Sequence, residues 1–314
     1  MKTKAGLNDF IWMAAGAAMM LALGLVVFYL HGERNPAAQL AFKAKRVELV
    51  EWMRLALASA SDAEKSAVMA TTDQDSQSFA DQSRTQVAAV ERGRKELEEL
   101  LQTGGTKTEQ DLLVQFTQTF AEFQRINKDL LDMAVQNTNL KAYGLAFGPA
   151  AEVLNEMDAA LSRIVAQNVS STSADARQVM QLADDARIRA LRMQTLLAPH
   201  IAEESDRKMD ELEALMAKED LEVRKDLEGL ASLLKPGGSP DIETATSRYT
   251  KFSEIKAQII RLSRENTNVR SLAISLNQKR KVMVMCQDDL AALEEAIQQE
   301  SVPRITRGAP VYPR

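Results

Sequence analysis

QNTNLKAYGLAF, from Gln136 to Phe147, and ENTNVRSLAISL, from Glu265 to Leu276, carry an identical Asn-Thr-Asn at the same point of two similar helical patterns. Overlaid at a shift of 129 residues, the copies also agree upstream: Phe120 falls on Tyr249, Phe123 on Phe252 and Leu130 on Ile259. The chain therefore reads as a duplicated helical unit. Alternate steps of three and four through the first copy give Phe116, Phe120, Phe123, Asn127, Leu130, Ala134, Asn137, Lys141 and Gly144, the seam of a bundle helix. The second seam is Tyr249, Phe252, Lys256, Ile259, Ser263, Asn266, Arg270 and Ala273. Polar groups thus occupy core-facing positions, where each needs a partner to offset its lost hydration.

The 314 residues are 45% hydrophobic but only 5% aromatic, with 13 Gly and 8 Pro, a balance that suits long helices rather than sheets. The expected fold class is all-α: an N-terminal transmembrane helix followed by two stacked four-helix-bundle-like modules sharing long helices. A net charge of -5 offers no basic surface for nucleic acid. Cys286 is the one cysteine, which excludes an intrachain disulfide and a Cys-based metal cluster. His31 and His200 match no ligand spacing, TGGTKT at Thr103–Thr108 lacks the order of a P-loop, and no nucleophile setting stands out. Neither catalysis nor a metal or cofactor is expected.

Phe10 to Leu30 carries no charge over a length that spans a bilayer, and Lys2 and Lys4 precede it. The apolar run exceeds that of a signal peptide, and HGERNPAAQ after it is a poor cleavage site. Residues 1–9 are therefore expected in the cytoplasm, a single-pass anchor at 10–30 in a bacterial inner membrane, and the soluble part in the periplasm. Beyond Pro36, Thr106 with Glu109 has the form of a capping box, and Gly148-Pro149 should break a helix. Ser170–Ser173 is a cap or short link, and PGGSPD is the clearest turn, with Ser239 able to cap and Pro240 at the first helical position. From Asp241 to about Glu300 no Gly or Pro intervenes, which predicts an unbroken rod of about 90 Å at about 1.5 Å per residue. Residues 31–170 and 171–300 are the expected modules, and 301–314 a disordered tail.

The anchor and the duplicated helical region resemble the helical bimodular, double four-helix-bundle periplasmic sensor domain of bacterial methyl-accepting chemotaxis receptors. DDARIRALRMQTLL, Asp184 to Leu197, is similar to the arginine-bearing first helix of such a module, and AKRVELVEWMRLAL, Ala44 to Leu57, to a weaker counterpart. The resemblance covers about Leu40 to Glu300 and implies two stacked bundles, each with room for a small ligand between its helices. Those receptors continue through a second membrane helix into HAMP and signalling regions, neither of which this sequence shows. Either the sequence is that of a truncated relative, or the scaffold is reused as an anchored periplasmic protein whose output is expected through a partner.

The candidate ligand site is cationic: Arg187, Arg189 and Arg192, with Lys256, Asn266, Asn268 and Arg270, and a second group of Asn137 and Lys141. Arg189 falls on the stripe Val179, Leu182, Ala186, Arg189, Met193 and Leu196, so it is expected to face inward. Converging Arg and Asn side chains take a carboxylate through paired, charge-assisted hydrogen bonds. In the competing reading the arginines pair with Asp184, Asp185, Glu254 or Glu265, and Asn137 and Asn266 merely set register. Two functions follow. One is a membrane-anchored sensor of a small organic anion, acting as a homodimer or within a complex; the other is a non-catalytic structural or accessory subunit whose rod braces a membrane or envelope assembly.

Overall fold

In the computed structural model, which describes residues 36–234 and 239–300, the chain is helical, with no strand among those residues. The anchor expected at 10–30, residues 1–9 and the tail 301–314 lie outside the described residues. Among those described, no helix is long and apolar enough to cross a membrane. The helices are α1 Pro36–Met69, α2 Asp73–Gly104, α3 Lys107–Ala134, α4 Thr138–Phe147, α5 Pro149–Asn168, α6 Ala174–Ala202, α7 Asp206–Leu233, α8 Pro240–Glu265, α9 Thr267–Ile274 and α10 Arg280–Gln299. A π-helical turn, Ser275–Lys279, joins the last two.

Local signals account for most of the boundaries. Thr106 and Glu109 form the capping box: each side chain accepts the other's backbone N–H at 3.2 Å. Gly148 (φ -103°, ψ -101°) ends α4, and Pro149 opens α5, where its missing donor has no intrahelical partner to lose. Ser173 caps α6 by accepting from the Ala176 N–H at 3.1 Å. Pro240 opens α8 as expected, but Ser239 does not cap it; its hydroxyl is buried without a hydrogen-bond partner.

Two compact units are built from these helices. Of the described residues, the first comprises 36–57, Ala88–Phe120 and 285–300. Segments of α1, α2, α3 and α10 bury Val50, Met53, Val90, Leu97, Leu101, Phe116, Leu290 and Leu293. Arg46, 1% exposed, donates to Glu109 at 2.5 Å and to Glu300, with its guanidinium 4.7 Å from the Phe42 ring centroid. Gly93 lets α2 pass close to α1: a Cβ there would lie 2.8 Å from Met53 Cγ and 3.1 Å from the Trp52 ring. Gly93→Ala is therefore expected to destabilise by about 1–3 kcal/mol, read as a fall in the thermal midpoint, despite alanine's better helix propensity.

The second unit comprises Ala58–Val87 and Ala121–Val284. Helices α5, α6, α7 and α8 pack in a ring, each against the next, around Leu154, Leu161, Ile164, Met193, Val223, Leu230, Phe252 and Ile259. The buried stripe of α6 keeps Val179, Ala186 and Met193 but takes Ala183, Ala190 and Leu197 in place of Leu182, Arg189 and Leu196, so Arg189 lies at its edge. In the same unit the end of α1, the start of α2 and the end of α3 share a core of Ala67, Val68, Ala80, Leu130, Leu131 and Ala134.

Both seams face inward up to the asparagine, with Lys256 only partly buried, and then change phase. Phe116 through Asn137 are buried as expected, but beyond Asn137 the inward positions become Thr138, Asn139, Ala142 and Ala146, and Lys141 and Gly144 are exposed. In the second copy Thr267, Ser271 and Ser275 turn inward and Arg270 turns out. Asn137 (φ 50°) and Asn266 (φ 53°) are left-handed, the conformation that ends a helix and that asparagine tolerates among non-glycine residues. The rod expected from Asp241 to Glu300 is thus corrected to α8, α9 and α10, broken at Asn266 and distorted at Ser275–Lys279.

Candidate functional site

The expected cations are all in the second unit, yet they do not converge. Arg189, Arg192 and Lys256 meet the acidic residues of α7. Arg189 lies 3.2 Å from Asp226 and 3.6 Å from Glu219, Arg192 3.8 Å from Glu219, and Lys256 2.9 Å from Asp220. Arg187 turns instead to α5, pairing with Asp158 at 2.6 Å and with Asp184 on its own helix at 2.9 Å. Of the carboxylates expected as partners, Asp184 is one; Glu219, Asp220 and Asp226 on α7 were not anticipated. Glu219 and Asp226 are seven residues apart and so share a helix face, a signal lost within an acidic run that resembles a solvated surface.

Asp220 is the hub of this cluster. It accepts from Tyr249 Oη at 2.6 Å, Arg224 at 2.8 Å, Lys256 at 2.9 Å and Ser253 at 3.4 Å. Burial alone would raise its pKa, but the Arg224, Tyr249 and Lys256 donors outweigh it and hold the carboxyl well below the usual range. A depressed carboxylate stabilises the fold at neutral pH, and that contribution is lost as pH falls through its folded pKa. Asp220→Asn should therefore lower the urea midpoint most near pH 7, with the difference shrinking below about pH 4. Beside it, Arg189 Nε, Glu219 Oε2 and Asp226 Oδ2 are buried without a hydrogen-bond partner. Burial pushes the Asp226 carboxyl up, against the pull of Arg189.

The two Asn-Thr-Asn segments meet each other. Asn137 and Asn266 precede α4 and α9 without capping them through their own side chains. The first free N–H groups are taken by the opposite copy: Thr138 N–H donates to Thr267 Oγ1 at 3.2 Å and Asn139 N–H to Asn268 Oδ1 at 3.1 Å. Reciprocally, Thr267 N–H donates to Thr138 Oγ1 at 3.1 Å and Asn268 N–H to Asn139 Oδ1 at 3.2 Å. Each repeat therefore caps a helix of the other.

The remaining amide groups hold neighbouring chain ends. Asn268 Nδ2 donates to Asn137 Oδ1 at 3.0 Å, and Asn137 Nδ2 to Asp73 at 2.9 Å. Asn139 Nδ2 donates to Asn266 Oδ1 and to the Ile201 carbonyl, both at 2.7 Å, while Asn266 Nδ2 reaches the Glu203 carbonyl at 2.8 Å. Ser263 Oγ donates to the His200 carbonyl at 2.9 Å. The unmatched carbonyls at the end of α6 are thereby capped by side chains. His200 Nδ1 lies 2.8 Å from Ser263 Oγ and Nε2 2.9 Å from Glu213. Asn137, Asn266 and Asn268 are thus brought together with Thr138, Asn139 and Thr267 in a closed polar knot. Lys141 and Arg270 are excluded from it, lying on the surface 3.3 Å from Asp73 and 3.8 Å from Asp206.

Residues 44–183, from α1 into α6, match the family described as a four helix bundle sensory module for signal transduction. Over that span the chain is similar to the four-helix-bundle sensory modules of chemotaxis receptors, as the resemblance implied. The matched span includes Asn137 and Lys141 and stops before Arg187. No curated protein and no solved structure matches the chain. The second unit also holds a buried polar cluster that the sequence did not reveal. Lys279, 1% exposed, donates to Glu64 at 2.8 Å and Asn127 at 2.5 Å, with its ammonium 4.9 Å from the Phe123 ring centroid. It stands in the run QKRK, whose charges carry no periodicity that would single it out.

Proposed function

We propose that this chain is the signal-receiving part of a membrane-anchored, extracytoplasmic sensor, which takes a small organic anion at Arg189, Arg192 and Lys256. The observation that carries this reading is the buried trio of Arg189 Nε, Glu219 Oε2 and Asp226 Oδ2, which are ion-paired at 3.2–3.6 Å yet make no well-aligned hydrogen bond. Such poorly aligned pairs beside a bundle core favour a ligand that offers the guanidinium a better-placed carboxylate. An incoming carboxylate takes the guanidinium from Asp226, which burial already biases toward its neutral form. The displaced α7 then moves against α6, and a partner protein reads the movement. The anchor at 10–30, the periplasmic location, the homodimer and the repeats 31–170 and 171–300 belong to the same proposal.

Calorimetric titration of the full chain in mild detergent against a panel of organic acids tests it. Saturable binding is expected, weakened at least about tenfold by Arg189→Ala, as for loss of a charge-assisted pair, and unchanged by Arg270→Ala. No saturable binding, or binding indifferent to Arg189→Ala, rejects the anion site. The closed Asn-Thr-Asn knot favours a second reading, a structural brace, because its polar groups are spent on one another. Stoichiometric co-purification with an integral membrane protein, without any ligand response, would select the brace.

A further inference from the structure

We propose that the π-helical turn Ser275–Lys279 is a register latch, which when held over Lys279 keeps α9 seated on Thr138 and Asn139 and when released draws α9 away from them. A π turn holds one residue more than the α-helix it interrupts, has poorer hydrogen-bond geometry, and persists where it positions a side chain. Here that side chain is Lys279, fixed by Glu64 and Asn127. On its other side, Thr267 and Asn268 are fixed by the reciprocal caps. The turn is therefore the slack between two anchored points.

The duplication shows what keeps the turn open. Gly148 and Asn277 are equivalent positions in the two repeats, so both copies leave α geometry at the same place. In the first copy the break is permanent, because Pro149 has no donor to rejoin the ladder. In the second copy the same positions are Asn277 and Gln278, which any α-helix accommodates. Contacts alone, not covalent geometry, then maintain the turn. Annealing it to α-helix takes up one residue, which rotates α9 by about 100° and shifts it by about 1.5 Å relative to the helix that follows. Thr267 Oγ1 and Asn268 Oδ1 would leave the Thr138 and Asn139 N–H groups. The hold itself is incompletely satisfied, since Glu64 Oε1 is buried without a partner, and a buried pair of this kind contributes little net stability over apolar replacements. As a source of helix displacement the latch rests on the sensor reading, but its existence does not.

Amide hydrogen exchange on the full chain, read by mass spectrometry, tests it. In the Lys279→Met, Glu64→Leu double variant, exchange should quicken about tenfold at 137–142 and 266–272, where caps are lost, and slow at 275–280, where α-helix forms. Deleting Asn277 in that variant should return 137–142 and 266–272 to the parent rate while 275–280 stays slow, because the shortened segment is α-helical without drawing α9 from its caps. Exchange that quickens in all three segments together, or in none, overturns the latch. Deletion of Asn277 alone should leave the thermal midpoint near that of the parent; a fall as large as that from deleting Ala291 in α10 also overturns it. Failure of the anion titration would leave these outcomes unaffected.

Discussion

Replacing Arg46 with methionine should lower stability by about 3–5 kcal/mol, the cost of leaving a buried carboxylate without its counter-charge. Glu109, 0% exposed, holds the Arg46 guanidinium at 2.5 Å while also accepting the Thr106 N–H of its capping box. Removing the arginine strands that charge in a core of leucine and phenylalanine. Arg46→Met combined with Glu109→Gln should recover most of the loss, because glutamine is neutral and still serves a capping box. Urea midpoints of the two single variants and the double decide the matter. A single variant as stable as the parent, or a double no better than Arg46→Met, would mean that the pair is not buried in solution.

The second large effect is expected at Asn139. Asn139→Ala leaves the Asn268 N–H, the Ile201 carbonyl and Asn266 Oδ1 each without a partner in a dry site, at about 1–3 kcal/mol for each group that water cannot reach. A total of about 3 kcal/mol is expected, with local relaxation absorbing part of the sum. Asn268→Ala, at a half-buried position, should lose less. The two side chains make different caps, but both caps close the same contact between α4 and α9, so loss of one weakens the other; the double variant should be more stable than the two losses added together predict, with a coupling of about 1 kcal/mol. Additive losses in this cycle would contradict the mutual capping.

Much of the architecture was legible because its determinants are local. The capping box at Thr106, the Gly148-Pro149 break, the Ser173 cap and the heptad-like spacing of Phe116, Phe120 and Phe123 each act within a turn or two of chain. The rod from Asp241 misled because asparagine, unlike glycine or proline, is an inconspicuous breaker: one left-handed residue at Asn266 turns every later side chain to a new face. Lys141 and Arg270 were read as inward for that reason. The Asn-Thr-Asn segments themselves were found by repetition, but a sequence carries no sign that Thr138 caps a helix beginning at Thr267. The cationic site was half legible. Arg189, Arg192 and Lys256 do share a neighbourhood, but the carboxylates that meet them come from α7, whose acidic run gave no reason to prefer Glu219 or Asp226 over its neighbours.

The reciprocal capping bears on how the chain came to be. Residue 138 meets 267 and 267 meets 138, and the same exchange holds for 139 and 268, which is the pattern of an interface between identical subunits. Contained in one polypeptide, it has the form of a contact between two like subunits, and neither half can lose its asparagine or threonine without unsealing a helix in the other. Lys141 and Arg270, Gly148 and Asn277 are under no such mutual obligation, and there the two halves have gone separate ways.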